Sequence, residues 1–360
     1  MFSSKQISSA GCLVVALVFA APLGKFAASA SAQSLSYTKG QGVTPGYEGW
    51  EEDPNGARFF VFGYMNKNWE EELDVPVGPD NGFAPGTADR GQPTHFLPRR
   101  NRFVFHVPVP QGFGEKDELV WTLTANGRTT KAYASLRPDY KIDDVVKASE
   151  TGALGAGTSS PTVRANKPPS VEIDGTKSRS VKVGETVTLV VSVFDDGVPK
   201  SHTQEEFTAA LAARARALSG GSTGAPPAQP QGATGERPAA AGAAAGGAAQ
   251  PPAQPPAFNP FLLPPSRVTV GKNVGLHLSW FVYRGAGPVH FDPEQIKSWE
   301  DTRVGANSPW APVWFAPPLP ADHMIRTQVR FDAPGTYVLR ALADDGALTS
   351  SQDITITVTK

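Results

Sequence analysis

The sequence predicts an all-β protein of two antiparallel β-sandwich-like domains. Short runs rich in aromatic and β-branched residues recur along the chain, each bounded by Pro, Gly, Asp or Asn. Glycine and proline are both abundant, at 36 and 34 residues of 360, which suits short strands joined by many turns. The pair Asn126-Gly127 sits between two strand-like runs, a strong hairpin signal because both residues tolerate positive φ.

The chain opens on an export signal. Lys5 supplies a positive start, Cys12 to Leu23 is an apolar run, and Ala30-Ser31-Ala32 is a small-residue cleavage site. The run is shorter than the roughly 20 residues that span a bilayer, and no later segment approaches that length. The expectation is an exported, periplasmic or extracellular chain with a signal peptide over 1–32 and no membrane insertion of the mature part. Cys12 opens the apolar run and follows Ser9 by three positions, which does not suit lipidation. Cleavage after Ala32 leaves no cysteine, hence no disulfide and no thiolate ligand or nucleophile. The 33 basic and 34 acidic residues become 31 and 34 once Lys5 and Lys25 are removed, about −3 in all. That balance gives no footprint for nucleic acid.

The first domain is expected over 33–140. Arg58 to Tyr64 and Arg102 to Val109 read as strands, the second placing Phe103, Phe105, Val107 and Val109 on one face. Glu118 to Thr124 and Thr129 to Leu136 read as the arms of the Asn-Gly hairpin. Residues 141–169 read as a linker; from Gly152 onward it has no periodicity, and it closes on Pro168-Pro169.

The second domain is expected over 170–360. Val187, Leu189, Val191 and Val193 share one face, as do Leu276, Leu278, Trp280 and Val282. Asp332-Ala333-Pro334-Gly335-Thr336-Tyr337 runs into Asp344-Asp345-Gly346, and 353–359 closes with strict alternation. This pattern resembles an immunoglobulin-like sandwich of the bacterial PKD type over 170–200 and 266–360. The resemblance implies a tyrosine corner at Tyr337, a buried strand C tryptophan at Trp280, and core positions at Leu189 and Leu339. The PKD signature W-D-F-G-D-G is absent.

An insertion over 201–265 is expected to split strands B and C. Its first part, 202–218, reads as a helix with a Thr203/Glu206 capping box. Residues 219–257 are low-complexity Gly, Ala, Pro and Gln, a composition that suits disorder.

Candidate chemistry is sparse. Gly220-Gly221-Ser222-Thr223-Gly224 matches a nucleophile-elbow pattern but follows a helix inside the low-complexity tract, the wrong setting for it. The six histidines are scattered. Asp195 and Asp196 end strand B and Asp344 and Asp345 end strand F, so both pairs belong to one pole, where a Ca²⁺ ion is the one cofactor the pattern suggests. Ordinary Asp-Gly turn chemistry is the simpler account of them. Trp299, Trp310 and Trp314, with Asp301 and Arg303, form an aromatic, proline-rich stretch that suits either sugar stacking or packing. Arg99 and Arg100 offer an anion contact, against which stands a plain solvated connection or pairing with the Glu70-Glu71-Glu72 run.

The sequence therefore points to a non-catalytic binding or scaffolding protein whose partner is an envelope protein or polysaccharide. The alternatives are a structural spacer, or a secreted hydrolase with its site near Asp89, Arg90 and His95. The hydrolase requires His95 within hydrogen-bond reach of a carboxylate in a concave pocket.

Overall fold

A computed structural model describes residues 37–150, 160–200, 203, 205–206, 208–209, 212–213, 275–299 and 316–360. The signal segment, the low-complexity tract, the Gly220–Gly224 pattern, Asp301, Arg303, Trp310 and Trp314 lie outside them.

The first sandwich holds β1 (Val43–Glu52), β2 (Arg58–Asn66), β3 (Leu73–Asp74), β4 (Asn81–Ala84), β5 (His95–Phe96), β6 (Arg99–Pro108), β7 (Leu119–Ala125) and β8 (Arg128–Ala134). Two three-stranded sheets, β1-β2-β6 and β4-β7-β8, face each other, with β3-β5 as a small third. Strict alternation in β7 turns Leu119, Trp121, Leu123 and Ala125 inward. Trp121 stacks on Phe83 at 5.7 Å and meets Phe62 and Phe105 edge-on. Its indole N–H donates to Asn81 Oδ1 at 2.9 Å, so the buried ring leaves no polar group unmatched. The hairpin forms between β7 and β8, with Asn126 and Gly127 at φ 48° and 71°.

In β6 the simple alternation holds only from Phe105 onward. Phe103 adopts φ 52°, and the pairing with β2 slips around Gly63. A Cβ on Gly63 would stand 2.1 Å from Glu48 Oε1 and 2.5 Å from Asn101 O, so only glycine fits beneath this bulge.

Between the sandwiches come α1 (Asp144–Glu150) and α2 (Pro161–Arg164). Ile142 N–H bonds Trp50 O at 2.9 Å, and Ala148 packs against Ala347 and Leu348. The first described part of 141–169, residues 141–150, is thus fastened to both sandwiches.

The second sandwich holds β9 (Ser170–Ile173), β10 (Ser178–Lys182), β11 (Thr186–Phe194), β12 (His277–Arg284), β13 (Val289–Asp292), β14 (Met324–Phe331), β15 (Gly335–Asp344) and β16 (Thr349–Thr359). One sheet runs β9-β11-β14-β13 and the other β10-β16-β15-β12; among the described strands of this sandwich only β10 and β16 pair in parallel. This is the immunoglobulin arrangement, A-B-E-D against A′-G-F-C. Leu189, Trp280, Tyr337 and Leu339 are all buried in its core. The Tyr337 hydroxyl lies 3.1 Å from Ala333 O and 3.0 Å from Ala286 O, the geometry of a tyrosine corner. The capping box is present too: Thr203 Oγ1 accepts from Glu206 N–H, and Glu206 Oε2 accepts from Thr203 N–H, each at 3.1 Å.

Candidate functional site

In β12 and β15 both faces are buried, because the face turned away from the immunoglobulin core is covered by the first sandwich. Tyr283 and Arg340 lie on that covered face. The Arg340 guanidinium stacks on the Tyr283 ring at 3.6 Å and makes a two-pronged pair with Asp353 at 2.7 and 2.8 Å. Its remaining arm donates to Val104 O of β6. Nearby, Thr94 N–H bonds Tyr283 O at 3.1 Å, and Gly285 N–H bonds Thr94 Oγ1 at 3.1 Å. Arg284 donates to Gln92 O at 2.8 Å and grips both oxygens of Asp89 at 3.0 and 2.7 Å. Paired in this way, Asp89 is held below the usual carboxylate range.

The three residues offered for hydrolysis are thereby assigned other work. Asp89 joins the sandwiches through Arg284. Arg90 turns back on its own loop, donating to Pro85 O at 3.0 Å. His95 does meet carboxylates, but at both ring nitrogens: Nδ1 to Asp74 at 2.7 Å and Nε2 to Glu72 at 2.9 Å. Burial alone would depress its pKa, but the bonds to Asp74 and Glu72 reverse that and push it up to about 9. The ring is an imidazolium at neutral pH with no lone pair left to accept a proton, a poor general base.

A cleft of about 1140 Å³ opens beside His95, between the sandwiches. One wall carries Trp69, Glu70 and Glu72 from the first sandwich. The other carries Trp280, Phe281, Lys297 and Trp299 from the second. A second hollow of about 430 Å³ shares His95, Phe281, Ser298 and Trp299 with it. Trp280 Nε1, Trp299 Nε1 and Ser298 Oγ are shielded from solvent and have no hydrogen-bond partner. The Lys297 ammonium lies 5.8 Å from the Trp299 ring centroid.

The remaining sequence candidates are dispersed. Arg99 covers the Trp69 ring at 3.8 Å and donates to Lys67 O at 3.1 Å. Arg100 pairs with Glu48 at 2.6 Å, not with the Glu70–Glu72 run; that run supplies Glu72 to His95 instead. Asp195, Asp196 and Asp344 each accept from a backbone N–H two residues on, at 2.8, 2.9 and 2.7 Å. Asp345 accepts from Ala347 and Leu348 N–H and, through its other oxygen, from Asn166 at 3.0 Å. Burial pushes Asp345 up to about 6. The electrostatic neighbour of Asp195 is Asp196 and that of Asp345 is Asp344. Among the described residues no three His, Cys, Asp or Glu side chains are grouped to hold a metal ion.

The sequence singled out Asp89, Arg90, His95, Trp280 and Trp299, and Glu70–Glu72 only as partners for Arg99 and Arg100, but missed the junction partners in this region. Glu72 stands just before, and Asp74 at the end of, a two-residue strand, and Tyr283, Arg284 and Arg340 lie inside or at the end of ordinary strands. A strand of period two whose outward positions carry Tyr and Arg was the one available hint.

No family model matches the chain, and no curated protein matches it. Among solved structures, it is similar to the N-terminal eight immunoglobulin domains of Down syndrome cell adhesion molecule, at 9% identity and a TM-score of 0.20. That match covers 88% of this chain and 27% of the other, so this chain spans about a quarter of it. It is also similar to a chimeric titin Z1Z2 (8% identity, 89% and 99% covered, TM-score 0.20). The D00-D0 domain of intimin is a third (8% identity, 88% and 100% covered, TM-score 0.21). Values this low carry no argument about what the chain does.

Proposed function

We propose that this chain is a non-catalytic, exported binding or scaffolding protein that contacts an envelope protein or a cell-surface polysaccharide. The observation that carries the reading is the fate of the loop 89–100. Its Asp89 and His95, the groups best suited to chemistry, are fully engaged in ion pairs, and Asp89 serves the junction between the sandwiches. What the molecule offers a partner is a shaped surface on a rigid double sandwich. Export is supported by the sequence of 1–32, and the charge near zero argues against nucleic acid.

The test is retention of the chain lacking 1–32 on peptidoglycan and on insoluble polysaccharides, with calcium and with EDTA. Retention is expected, and loss in EDTA would add a cation to the account. No retention on any matrix would shift weight to a protein partner or a spacer. Turnover of an ester, amide or glycoside that His95→Asn abolishes would overturn the non-catalytic reading.

A further inference from the structure

The sequence contains three Asn-Gly pairs, at 55–56, 81–82 and 126–127, all in the first sandwich. Asparagine is a chemically labile residue. The peptide nitrogen of the residue that follows can attack its side-chain amide, and glycine, having no Cβ, obstructs that attack least. Three pairs of the same local chemistry are thus set apart by how the fold holds the reacting atoms.

Asn81 is shut off. It is fully buried, its amide nitrogen donates to Val75 O at 2.9 Å and Pro93 O at 2.8 Å, and its oxygen accepts from the Trp121 indole. Gly82 is fixed in β4 opposite Thr122, and Gly78 O lies 2.8 Å from where a Cβ would stand, so there is no room to close a ring. Asn126 is exposed but clamped, its amide nitrogen donating to Gln41 O at 3.0 Å and Glu71 Oε2 at 3.3 Å. Its departing nitrogen is therefore held, and the Glu71 carboxylate opposes the negative charge that the attacking Gly127 nitrogen acquires.

Asn55 has neither restraint. It sits in the exposed turn between β1 and β2, and its side chain makes no hydrogen bond among the described residues. A Cβ on Gly56 would meet nothing within 4 Å, so the space around the reacting atoms is open. The nearest carboxylate, Asp53, is itself occupied, accepting from the Asn55 and Ala57 N–H groups at 2.9 Å each. One bond opposes the reaction, from Gly56 N–H to Asp53 O at 2.9 Å, and bonds in such exposed turns open readily.

We propose that Asn55 is a site of spontaneous deamidation, with water as the co-reactant. Gly56 N gives its proton to solvent and bonds to Asn55 Cγ; the Cγ–Nδ2 bond breaks and ammonia leaves, closing a cyclic imide. Water then opens the imide at one of its two C–N bonds. Opening at Cγ leaves aspartate, and opening at the main-chain carbonyl leaves isoaspartate, with the backbone running through Cβ and Cγ. Nothing is oxidised or reduced. Either product adds a carboxylate beside Asp53 at the tip of the hairpin.

The test incubates the full chain, folded and in urea, in mildly alkaline buffer, and follows each pair by peptide mapping with mass spectrometry that separates Asn, Asp and isoaspartate. In the folded chain Asn55 is expected to convert about tenfold faster than Asn126, whose two amide bonds must first break. Asn81 should stay intact. In urea the three pairs should convert at similar rates, which assigns the difference to the fold. Asn55→Gln lengthens the side chain past easy ring closure without disturbing a contact, and should remove the main acidic form seen on ion exchange. Conversion at 126 or 81 that keeps pace with 55 in the folded chain would overturn the proposal. So would an intact Asn55 after the urea sample has reacted, or an acidic form that persists undiminished in Asn55→Gln.

Discussion

At the scale of single residues, His95 and Asp345 show how an ionisable group is given structural work, with opposite consequences for pH. His95 has its folded pKa raised from 6.5 to about 9. A raised pKa means the folded state holds the proton more tightly, so the stabilisation is complete below about pH 6.5 and disappears as pH climbs through 9. The shift sets a ceiling of roughly 3 kcal/mol, and the half-exposed partners Glu72 and Asp74 bring it nearer to about 1–2 kcal/mol. His95→Gln is therefore expected to lower stability at pH 6.5 by that amount and to differ little from wild type above pH 9. Parallel urea titrations at the two pH values would show a constant gap if the ion pairs contribute nothing. Asp345 is raised from 3.8 to about 6 because burial disfavours its charge. Ionising it weakens the fold, so stability should decline as pH rises from about 4 to 6. Asn166 Oδ1 is buried and unpartnered, so rotating that amide would let it accept from an asparagine at 345. Asp345→Asn is expected to fold normally and to abolish this decline, whereas Asp345→Ala, which also loses the turn bonds to Ala347 and Leu348, should cost about 2 kcal/mol. A decline that persists in Asp345→Asn would assign it to another group.

Among the elements, those whose pattern is local were readable in advance. Leu119 to Ala125 alternates strictly, the Asn126-Gly127 turn adopts the conformation its residues favour, and the Thr203/Glu206 box needs only a spacing of three. β6 resisted because its slip lies against contacts distant in sequence: the Glu48–Arg100 pair fills the space beside Gly63, where the register with β2 shifts, and Phe103 sits at positive φ. The tyrosine corner was legible as a motif, but its floor was not. Gly285 and Gly287 have φ of 120° and 119°, and a Cβ on either would lie 2.8 Å from Tyr337 Cδ1 or 2.9 Å from its hydroxyl. Tyr337→Phe, which removes one hydrogen bond and keeps the ring, is expected to cost about 1 kcal/mol. Gly285→Ala adds backbone strain and a clash with that ring, and should cost about 2 kcal/mol or more. Chemical denaturation of the two variants would give the order, and a milder effect for Gly285→Ala would mean that the ring yields.

For the whole molecule, the coupling between sandwiches is what the sequence did not disclose. Period-two patterning separates buried from exposed faces within a sheet, but it cannot say that an outward face is covered by another domain. Tyr283, Arg284 and Arg340 read as ordinary surface positions until Asp89, Gln92, Thr94 and Val104 are brought against them. The described residues of 37–360 accordingly form one compact unit, and α1 adds its own brace through the Lys147–Glu51 ion pair. Arg340 is the centre of this junction: only 8% exposed, it stacks on Tyr283, pairs with Asp353 and reaches Val104 O. Removing it leaves Val104 O without its donor and Asp353 without its cation, at about 2–4 kcal/mol, the lower end of which applies if Asp353 rehydrates. Because that loss falls between the two cores, its signature is a change in cooperativity as well as in stability. Wild type is expected to unfold in a single calorimetric transition, and Arg340→Ala in two that are separated in temperature. Asp89→Asn weakens one exposed arm of the same junction and should lower the transition without splitting it. A wild-type chain that already melts in two steps would show that these contacts join the sandwiches without coupling their folding.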